Sequence, residues 1–169
     1  MTTATNAAAP QQSVLDDLVC FALYDATHAI TQIYRSALAP WGLTYPQYLV
    51  FVVLWNEGPL PLGDLGRRLE LDSGTLSPLT KRMEQAGFIE RRRASDDARV
   101  VTIALTAQGE RMREELEAVP ACVAGAMKLD LGTATRLRQM LHQLADDTRA
   151  SDPTALAAKQ ATGASDAGQ

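Results

Sequence analysis

Aromatic side chains are scarce in this sequence. They make up 5% of its 169 residues, whereas hydrophobic residues together make up 46%. Alanine and leucine fill the difference, and such a composition favours helices over a β-rich core. No apolar run approaches the roughly 20 residues that a membrane helix needs. We therefore expect a mainly α-helical protein without a membrane partner.

Features of secretion and of metal binding are also missing. Residues 1–12 contain neither a basic n-region nor an apolar h-region, so we expect a cytoplasmic protein whose cysteines are reduced at rest. The two cysteines, Cys20 and Cys122, match no zinc spacing, and His28 and His142 lie far from both. The sequence therefore predicts no metal and no cofactor.

An excess of basic charge is absent as well, since the net charge is −4. The distribution is uneven, because residues 73–99 hold six basic side chains and only four acidic ones. A basic island on an acidic body can dock on phosphates while the body stays soluble. The island is made of Lys81, Arg82, Arg91, Arg92, Arg93 and Arg99.

Capping signals mark two helices in the first third of the chain. Ser13 with Asp16 predicts a helix start, and apolar residues then keep helical spacing up to the break at Pro40. Thr44-Tyr45-Pro46-Gln47 predicts the start of a second, very apolar helix. That helix is expected to end at Asn56-Glu57-Gly58-Pro59.

Two compact helices, 62–69 and 74–85, joined by the turn 70–73, form a helix-turn-helix pattern. Pro78 removes a hydrogen bond from the second helix, so we expect a slightly distorted start there. The first half of a recognition helix faces the major groove, and basic groups further along meet phosphates. The candidates for base edges and sugars are Ser73, Thr75, Ser77 and Pro78, and those for phosphates are Lys81 and Arg82.

Two strands at 88–93 and 99–105, linked by the polar segment 94–98, predict a β-hairpin directly after the second helix. That position makes the hairpin a wing, and Arg91 and Arg92 are candidates for further DNA contacts. The alternative that remains open is an exposed strand face without a ligand beside a capped core helix.

The remaining elements complete the expected organisation. Thr106 predicts the cap of a long helix to about Lys128, kinked at Pro120, and Asp130 the cap of a last helix. The fold class is mainly α with a small β-hairpin wing. We expect a winged helix-turn-helix DNA-binding domain at 41–105, a helical dimerisation region formed by 13–40 and 106–150, and disordered tails at 1–12 and 151–169.

We expect a homodimer because one helix-turn-helix seldom makes enough contacts with DNA. Such units usually pair and read two half-sites about 10 bp apart. The helices at both chain ends are surplus to a minimal winged helix, and pairing with a second copy would bury their apolar faces. The expected partner is double-stranded DNA with a palindromic operator.

Several motifs occur here in the order found in MarR-type regulators, which the chain resembles over about residues 13–150. They are Leu65-Gly66, Leu71-Asp72-Ser73-Gly74-Thr75-Leu76-Ser77-Pro78-Leu79, Lys81-Arg82-Met83-Glu84, Gly87-Phe88-Ile89 and Leu105-Thr106-Ala107-Gln108-Gly109. The resemblance implies that Arg99 of the wing reaches the minor groove and that Asp97 steadies it. Pro61 departs from the Ser or Thr expected to cap its helix.

Within that family the chain is most similar to the branch that senses organic hydroperoxides (OhrR). The matching residues are Leu18-Val19-Cys20-Phe21-Ala22-Leu23-Tyr24, with Tyr34 and Tyr45 further along. The resemblance implies that Cys20 is the redox sensor and that Tyr34 and Tyr45 of the other subunit hydrogen-bond its thiolate. It further implies that Cys122 captures the oxidised sulfur across the dimer.

The chemistry expected of Cys20 requires its thiolate, and a free thiol with a pKa of about 8.5 is mostly protonated at neutral pH. Asp16 and Asp17 disfavour the anion. In a helix starting near Ser13, Cys20 lies too deep to gain much from the dipole. We therefore expect the two phenols to stabilise the anion and the apolar neighbours to favour organic peroxides.

The expected function is a repressor that binds its operator while Cys20 is reduced and releases it after an organic hydroperoxide oxidises Cys20. One peroxide is consumed per site without turnover, so the protein is not expected to be an enzyme. Alternatives remain open: release by a small aromatic ligand, a thiol peroxidase, or an activator. Either cysteine can also be a packing residue, and Tyr24 and Tyr48 are interpreted as packing residues.

Overall fold

Seven α-helices and a small sheet make up the part of the chain that the computed structural model describes, residues 14–93 and 101–151. The helices are α1 (Val19–Leu38), α2 (Tyr45–Glu57), α3 (Leu62–Leu69), α4 (Ser73–Gln85), α5 (Ala107–Glu115), α6 (Val119–Met127) and α7 (Leu131–Ala150). The strands are β1 (Leu60–Pro61), β2 (Ile89–Arg93) and β3 (Val101–Leu105). A short 3₁₀ turn, Ala39–Trp41, follows α1.

The sheet confirms the predicted wing and adds one strand to it. Its order is β1-β3-β2 with both pairings antiparallel, and Arg91 lies opposite Ile103. The sequence analysis missed β1, because two residues that include a proline give no strand signal. Proline is tolerated there because β1 is an edge strand. The fold class, mainly α with a small hairpin, is therefore confirmed.

The core is built around α2, which packs against α1, α3, α4, α5 and β3. The helix is apolar on every side, as expected of an element surrounded by others. Phe51 is fully buried and stacks against Trp55 with ring centroids 5.1 Å apart. The predicted capping box forms its start, where Gln47 Oε1 accepts from the Thr44 backbone N–H at 2.9 Å.

The start of α1 differs from the prediction. The helix begins at Val19, after a turn at 14–17, and its N-cap Leu18 makes no side-chain capping bond. The expected start at Ser13 is therefore wrong by several residues, and Ser13 itself lies outside the described range. An apolar residue at the cap leaves the first-turn N–H groups without a side-chain acceptor, whereas Ser, Thr, Asp or Asn would provide one.

The predicted long helix from Thr106 to Lys128 is two helices. The chain turns at 116–118, and Pro120 is the second residue of α6. A proline in the first turn loses no intrahelical hydrogen bond, so it starts a helix here instead of kinking one. The predicted caps are confirmed, since the side chains of Thr106 and Asp130 accept from backbone N–H groups three residues later.

Gly109 explains why the motif after the wing ends in glycine. A Cβ at this position would lie 2.1 Å from the Phe88 carbonyl oxygen. The close approach lets Thr106 Oγ1 donate to the Gly87 carbonyl at 2.6 Å and Trp55 Nε1 donate to the Gly109 carbonyl at 3.1 Å. The contact therefore ties α5 to the segment that enters β2.

The described chain divides into two compact units after Met127. In the second unit α7 has no buried residue and exposes several large apolar side chains: Leu131, Leu137, Met140, Leu141 and Leu144. No single helix among the described residues is both long and apolar enough to cross a membrane. The pair Val19–Trp41 and Tyr45–Glu57, bent by 75°, passes on length and composition alone.

Candidate DNA-binding surface and cysteine site

The start of α4 is fixed by its N-cap, Asp72. The Asp72 carboxylate accepts from the Thr75 backbone N–H and from the Thr75 hydroxyl, both at 2.9 Å. These two hydrogen bonds hold the pKa of the Asp72 carboxyl below its usual value. Because the hydroxyl proton of Thr75 is directed to Asp72, Thr75 can offer a base edge only an acceptor.

The residues of α4 separate into a buried and an exposed face. Leu76, Leu79, Thr80 and Met83 are buried in the core, where the Thr80 hydroxyl donates to the Leu76 carbonyl at 3.0 Å. Every α4 residue predicted to contact DNA is accessible: Ser73, Thr75, Pro78, Lys81 and Arg82 are exposed and Ser77 is half-buried. The helix therefore presents its predicted contact residues together.

Pro78 lies inside α4, which nevertheless continues to Gln85. The missing N–H would have bonded to the Gly74 carbonyl. Gly74 is exposed in the first turn of the helix, where water can satisfy that carbonyl. The helix therefore carries this proline without a buried polar group.

The wing brings one arginine toward α4 and turns the next one away. Arg91 shares a strand face with the buried Ile89, and it lines a hollow together with Lys81 and Glu84 of α4. Arg92 lies on the opposite face and is ion-paired with Glu90. Two of the predicted basic contacts, Lys81 and Arg91, therefore converge, whereas Arg92 already has a carboxylate partner.

The tip of the wing lies outside the described residues. Asp97 and Arg99, which the resemblance assigned to the minor groove, fall in the range 94–100, and so their contacts stay predictions. The side chain of Arg93 is likewise not described.

The sequence analysis missed basic residues on α3. Arg67 is 75% exposed, is ion-paired with Asp64, and lines a hollow with Asp72 and Ser73 at the start of α4. Arg68 is held differently, because its Nε donates to both carboxylate oxygens of Glu57 at 2.9 Å. The signal that could have found Arg67 is its place on the helix that precedes the recognition helix, which crosses the DNA backbone in helix-turn-helix proteins.

Cys20 is exposed and is the second residue of α1. The first turn of a helix has N–H groups without intrahelical partners and carries partial positive charge, which favours an anion. The expectation that Cys20 lies too deep to benefit from the helix dipole is therefore wrong, because it assumed a start near Ser13. Asp16 and Asp17 are exposed before the helix.

Three tyrosines form a cluster where α1 meets α2. The ring centroids of Tyr34 and Tyr45 are 4.2 Å apart, and those of Tyr34 and Tyr48 are 5.8 Å apart. Burial and the neighbouring Tyr45 and Tyr48 raise the pKa of Tyr34 to about 12, and burial raises the pKa of Tyr45 and Tyr48. The phenols therefore stay protonated donors at neutral pH.

The cluster is remote from Cys20 of the same chain. Tyr34 follows Cys20 by fourteen residues on one helix, which separates them by about 21 Å at 1.5 Å per residue. No Cys20 thiolate can reach Tyr34 of its own chain across that distance.

Cys122 lies beside the same stretch of α1 that contains Tyr34. It is exposed on α6 and lines a hollow with Gln32, Ile33, Ser36 and Ala37 of α1. The start of α1 is about 20 Å from Ile33 by helical rise. A disulfide usually requires Cα atoms within about 7 Å, so Cys20 and Cys122 of one chain cannot bond in this conformation.

Comparison with known proteins agrees with the fold. Residues 43–101 match the sequence profile of the MarR family. The regulator TtmR of Methylorubrum extorquens (strain PA1) is 43% identical over 136 residues, which cover 80% of this chain and 70% of the relative. The organic hydroperoxide resistance transcriptional regulator of Bacillus subtilis (strain 168) is 38% identical over 130 residues, covering 77% and 88%.

Solved structures give the same result. Reduced AbfR bound to DNA has a TM-score of 0.71 and 31% identity, covering 80% of this chain and 92% of that one. The disulfide form of AbfR has a TM-score of 0.59 and 37% identity, covering 77% and 91%. The two matched relatives named above are transcriptional regulators. This chain belongs to the MarR family of winged-helix transcriptional regulators.

Proposed function

We propose that this protein is a homodimeric repressor that binds a palindromic operator while Cys20 is reduced and releases it when an organic hydroperoxide oxidises Cys20. One observation carries the proposal: Cys20 is exposed in the first turn of α1, whereas the tyrosine cluster and Cys122 each lie against the other half of that helix. The names of the Bacillus relative and of the AbfR structures agree with redox control.

An antiparallel pair of α1 helices would bring the separated groups together. Thr27 is equally far along the helix from Cys20 and from Tyr34. A two-fold axis passing near Thr27 therefore places Cys20 of one copy beside Tyr34 of the other. Because Cys122 lines a hollow on α1 at Ile33, the same arrangement brings Cys20 toward Cys122 of the partner subunit.

Unburied apolar side chains support such a pairing. In a single chain, Leu38 is the one buried residue of α1, and Val19 and Tyr24 are 68% and 59% exposed. The α7 helix adds the exposed leucines and Met140 described above. A second copy of the chain is the partner that would cover them, since two-fold homodimers are the commonest assembly.

Oxidation then proceeds in two steps. The Cys20 thiolate attacks the hydroperoxide, an S–O bond forms as the O–O bond breaks, and the leaving oxygen takes the peroxide proton to depart as an alcohol. The resulting sulfenate takes a proton from solvent, and the sulfenic acid next meets the thiol of Cys122 of the partner subunit. The S–S bond forms, the S–O bond breaks, and water leaves. The disulfide fixes two helices at a new separation and displaces the α4 helices from their half-sites.

DNA binding itself rests on the exposed face of α4. Ser73, Ser77 and Pro78 meet bases and sugars, and Lys81 with Arg91 meets phosphates on one side of the helix. Arg67 of α3 adds a phosphate contact on the other side. Arg99, steadied by Asp97, enters the minor groove from the wing tip.

A gel-shift titration on the DNA upstream of the chain's own gene tests the proposal. Wild type, Cys20→Ser and Cys122→Ser are compared before and after cumene hydroperoxide, with thiol reductant added last. We expect the wild type to release DNA and recover, and Cys20→Ser to stay bound. Non-reducing gels should show a covalent dimer in the wild type and in neither variant.

Two results would contradict the proposal. Equal release by wild type and Cys20→Ser would show that Cys20 is not the sensor. Continued binding of the oxidised wild type would show that peroxide is not the signal. Hydrogen peroxide at the same concentration is the matched control for the organic group, and it should act more slowly.

A further inference from the structure

Tyr48 belongs to the tyrosine cluster but was interpreted from sequence as a packing residue. It is 6% exposed and forms part of the core. Its ring lies 5.8 Å from that of Tyr34, and the proximity of Tyr45 adds to the rise in its pKa. Burial therefore confirms a packing role for the ring and leaves the role of its hydroxyl to be explained.

The hydroxyls of the cluster make no hydrogen bond within residues 14–93 and 101–151. In the same residues no fully enclosed polar side-chain atom lacks a partner. Each phenol oxygen of the cluster must therefore be at least partly exposed to solvent, in Tyr34, Tyr45 and Tyr48 alike. A phenol oxygen that is not enclosed and has no partner within its own described residues is open to a group from outside, either water or a second subunit.

The three rings lie near one another. The ring centroids of Tyr45 and Tyr48 are 4.2 and 5.8 Å from that of Tyr34, and both neighbouring phenols oppose ionisation of Tyr34. Neutral phenols that gather without acceptors form a set of hydrogen-bond donors, and the chemical complement of such a set is an anion.

We infer that Tyr48 is a third donor of the sensor site, which hydrogen-bonds the Cys20 thiolate of the partner subunit together with Tyr34 and Tyr45. This inference rests on the proposed function, which brings that thiolate to the cluster. A third donor has a distinct use after oxidation, because the sulfenate oxygen is a new acceptor beside the sulfur. Two donors can then hold the sulfur while one holds the oxygen until Cys122 attacks.

The test uses full-length protein with Cys122→Ser, so that oxidation stops at the sulfenic acid. Rates of Cys20 reaction are measured with cumene hydroperoxide and with iodoacetamide over a range of pH. Tyr48→Phe removes the hydroxyl and keeps the ring. We expect it to slow both reactions at neutral pH by about tenfold, the usual effect of one hydrogen bond to a charged group. The pH of half-maximal alkylation should move upward, which a packing defect would not cause.

Two matched variants are compared with Tyr48→Phe. Tyr34→Phe and Tyr45→Phe, the other two members of the cluster, should each slow the reactions at least as much as Tyr48→Phe. The unfolding midpoint of Tyr48→Phe should stay close to that of its parent, because the hydroxyl makes no hydrogen bond within residues 14–93 and 101–151.

The outcomes separate the inference from the function on which it rests. If the Cys122→Ser parent reacts rapidly and Tyr48→Phe has the same rates and pH profile, the inference is wrong and the proposed function stands. If the parent reacts no faster than free cysteine, both are wrong.

Discussion

The DNA-reading part of the chain (α3, α4, β2 and β3) and its cysteine-bearing part (α1 and α6) differ in what one copy determines. The caps, core contacts and exposed face of α4 are all set within one chain. In the cysteine-bearing part the reactive groups lie about 20 Å apart by helical rise, and most of α1 is unburied. The first part is complete within one chain, whereas the second would become a site only in the proposed dimer, where a second copy brings its components together.

This difference suggests how a chemical signal can control DNA binding without touching the DNA-binding surface. In the proposed dimer, two copies would assemble the sensor, and the same dimer would set the spacing of the two α4 helices. A covalent bond across that interface would therefore change both together.

The largest effect is expected from breaking the dimer and leaving each reading surface intact. Leu137→Glu with Leu141→Glu places two charges on an exposed apolar face of α7, where a single chain tolerates them. A monomer reads one half-site, so affinity for a full operator should fall at least about thousandfold. Sedimentation should show a monomer, and circular dichroism should be unchanged. Gln139→Glu, on the same helix, is the control for one added charge, and a dimeric double variant would contradict the prediction.

The second-largest effect is expected from disrupting the contact between α5 and the segment that enters β2 of the DNA-reading part. Gly109→Ala forces a methyl group against the Phe88 carbonyl, which belongs to the backbone and cannot rotate away. We expect the free energy of unfolding to fall by about 3 kcal/mol, at the upper end of overpacking effects. Chemical denaturation measures it. Gly63→Ala, with open space around it, should instead be neutral or gain about 0.5 kcal/mol. Equal stability of the two variants would show that the contact is not tight.

The two parts also differ in how far the sequence predicted them. Thr106 and Asp130 gave the correct caps, and the two strand segments joined by the polar link 94–98 gave the wing, because these signals act between residues close in sequence. The start of α1 was misplaced because Leu18 is no recognisable cap. Pro120 was misinterpreted because a kink and a restart have the same sequence. The hydroxyl of Tyr48 was overlooked because its lack of a partner is a property of the tertiary structure.

A smaller effect on DNA affinity is expected from removing a single side chain that contacts phosphate. Lys81→Ala removes one exposed charge beside Arg91 without disturbing the buried face of α4. Binding should weaken by about tenfold for every DNA sequence, and the slope of log affinity against log salt should fall by about 0.9. Fluorescence anisotropy at several salt concentrations measures both. Arg111→Ala, an exposed change on α5, should alter neither, and an unchanged slope for Lys81→Ala would place that residue off the DNA.

The smallest effect compares two caps of the same geometry. Asp72 begins α4 and Asp130 begins α7, and each accepts the backbone N–H three residues later at 2.9 Å. Hydrogen bonds from the following threonine lower the pKa of both carboxyls. A lowered pKa stabilises the fold above the unfolded value, about 4, and this stabilisation is lost as the pH falls through the folded value.

The asparagine variants of these two residues should therefore both unfold slightly more readily than the wild type at pH 7. That difference should shrink as the pH falls below about 4. Asparagine is itself a good cap, so the shift in the unfolding midpoint is expected to be small. The DNA affinity separates the two variants, because only Asp72 orders the end of the helix that enters the groove. Asp72→Asn should weaken operator binding and Asp130→Asn should not. An equal loss in both would mean that the reading surface depends on α7 as much as on its own cap.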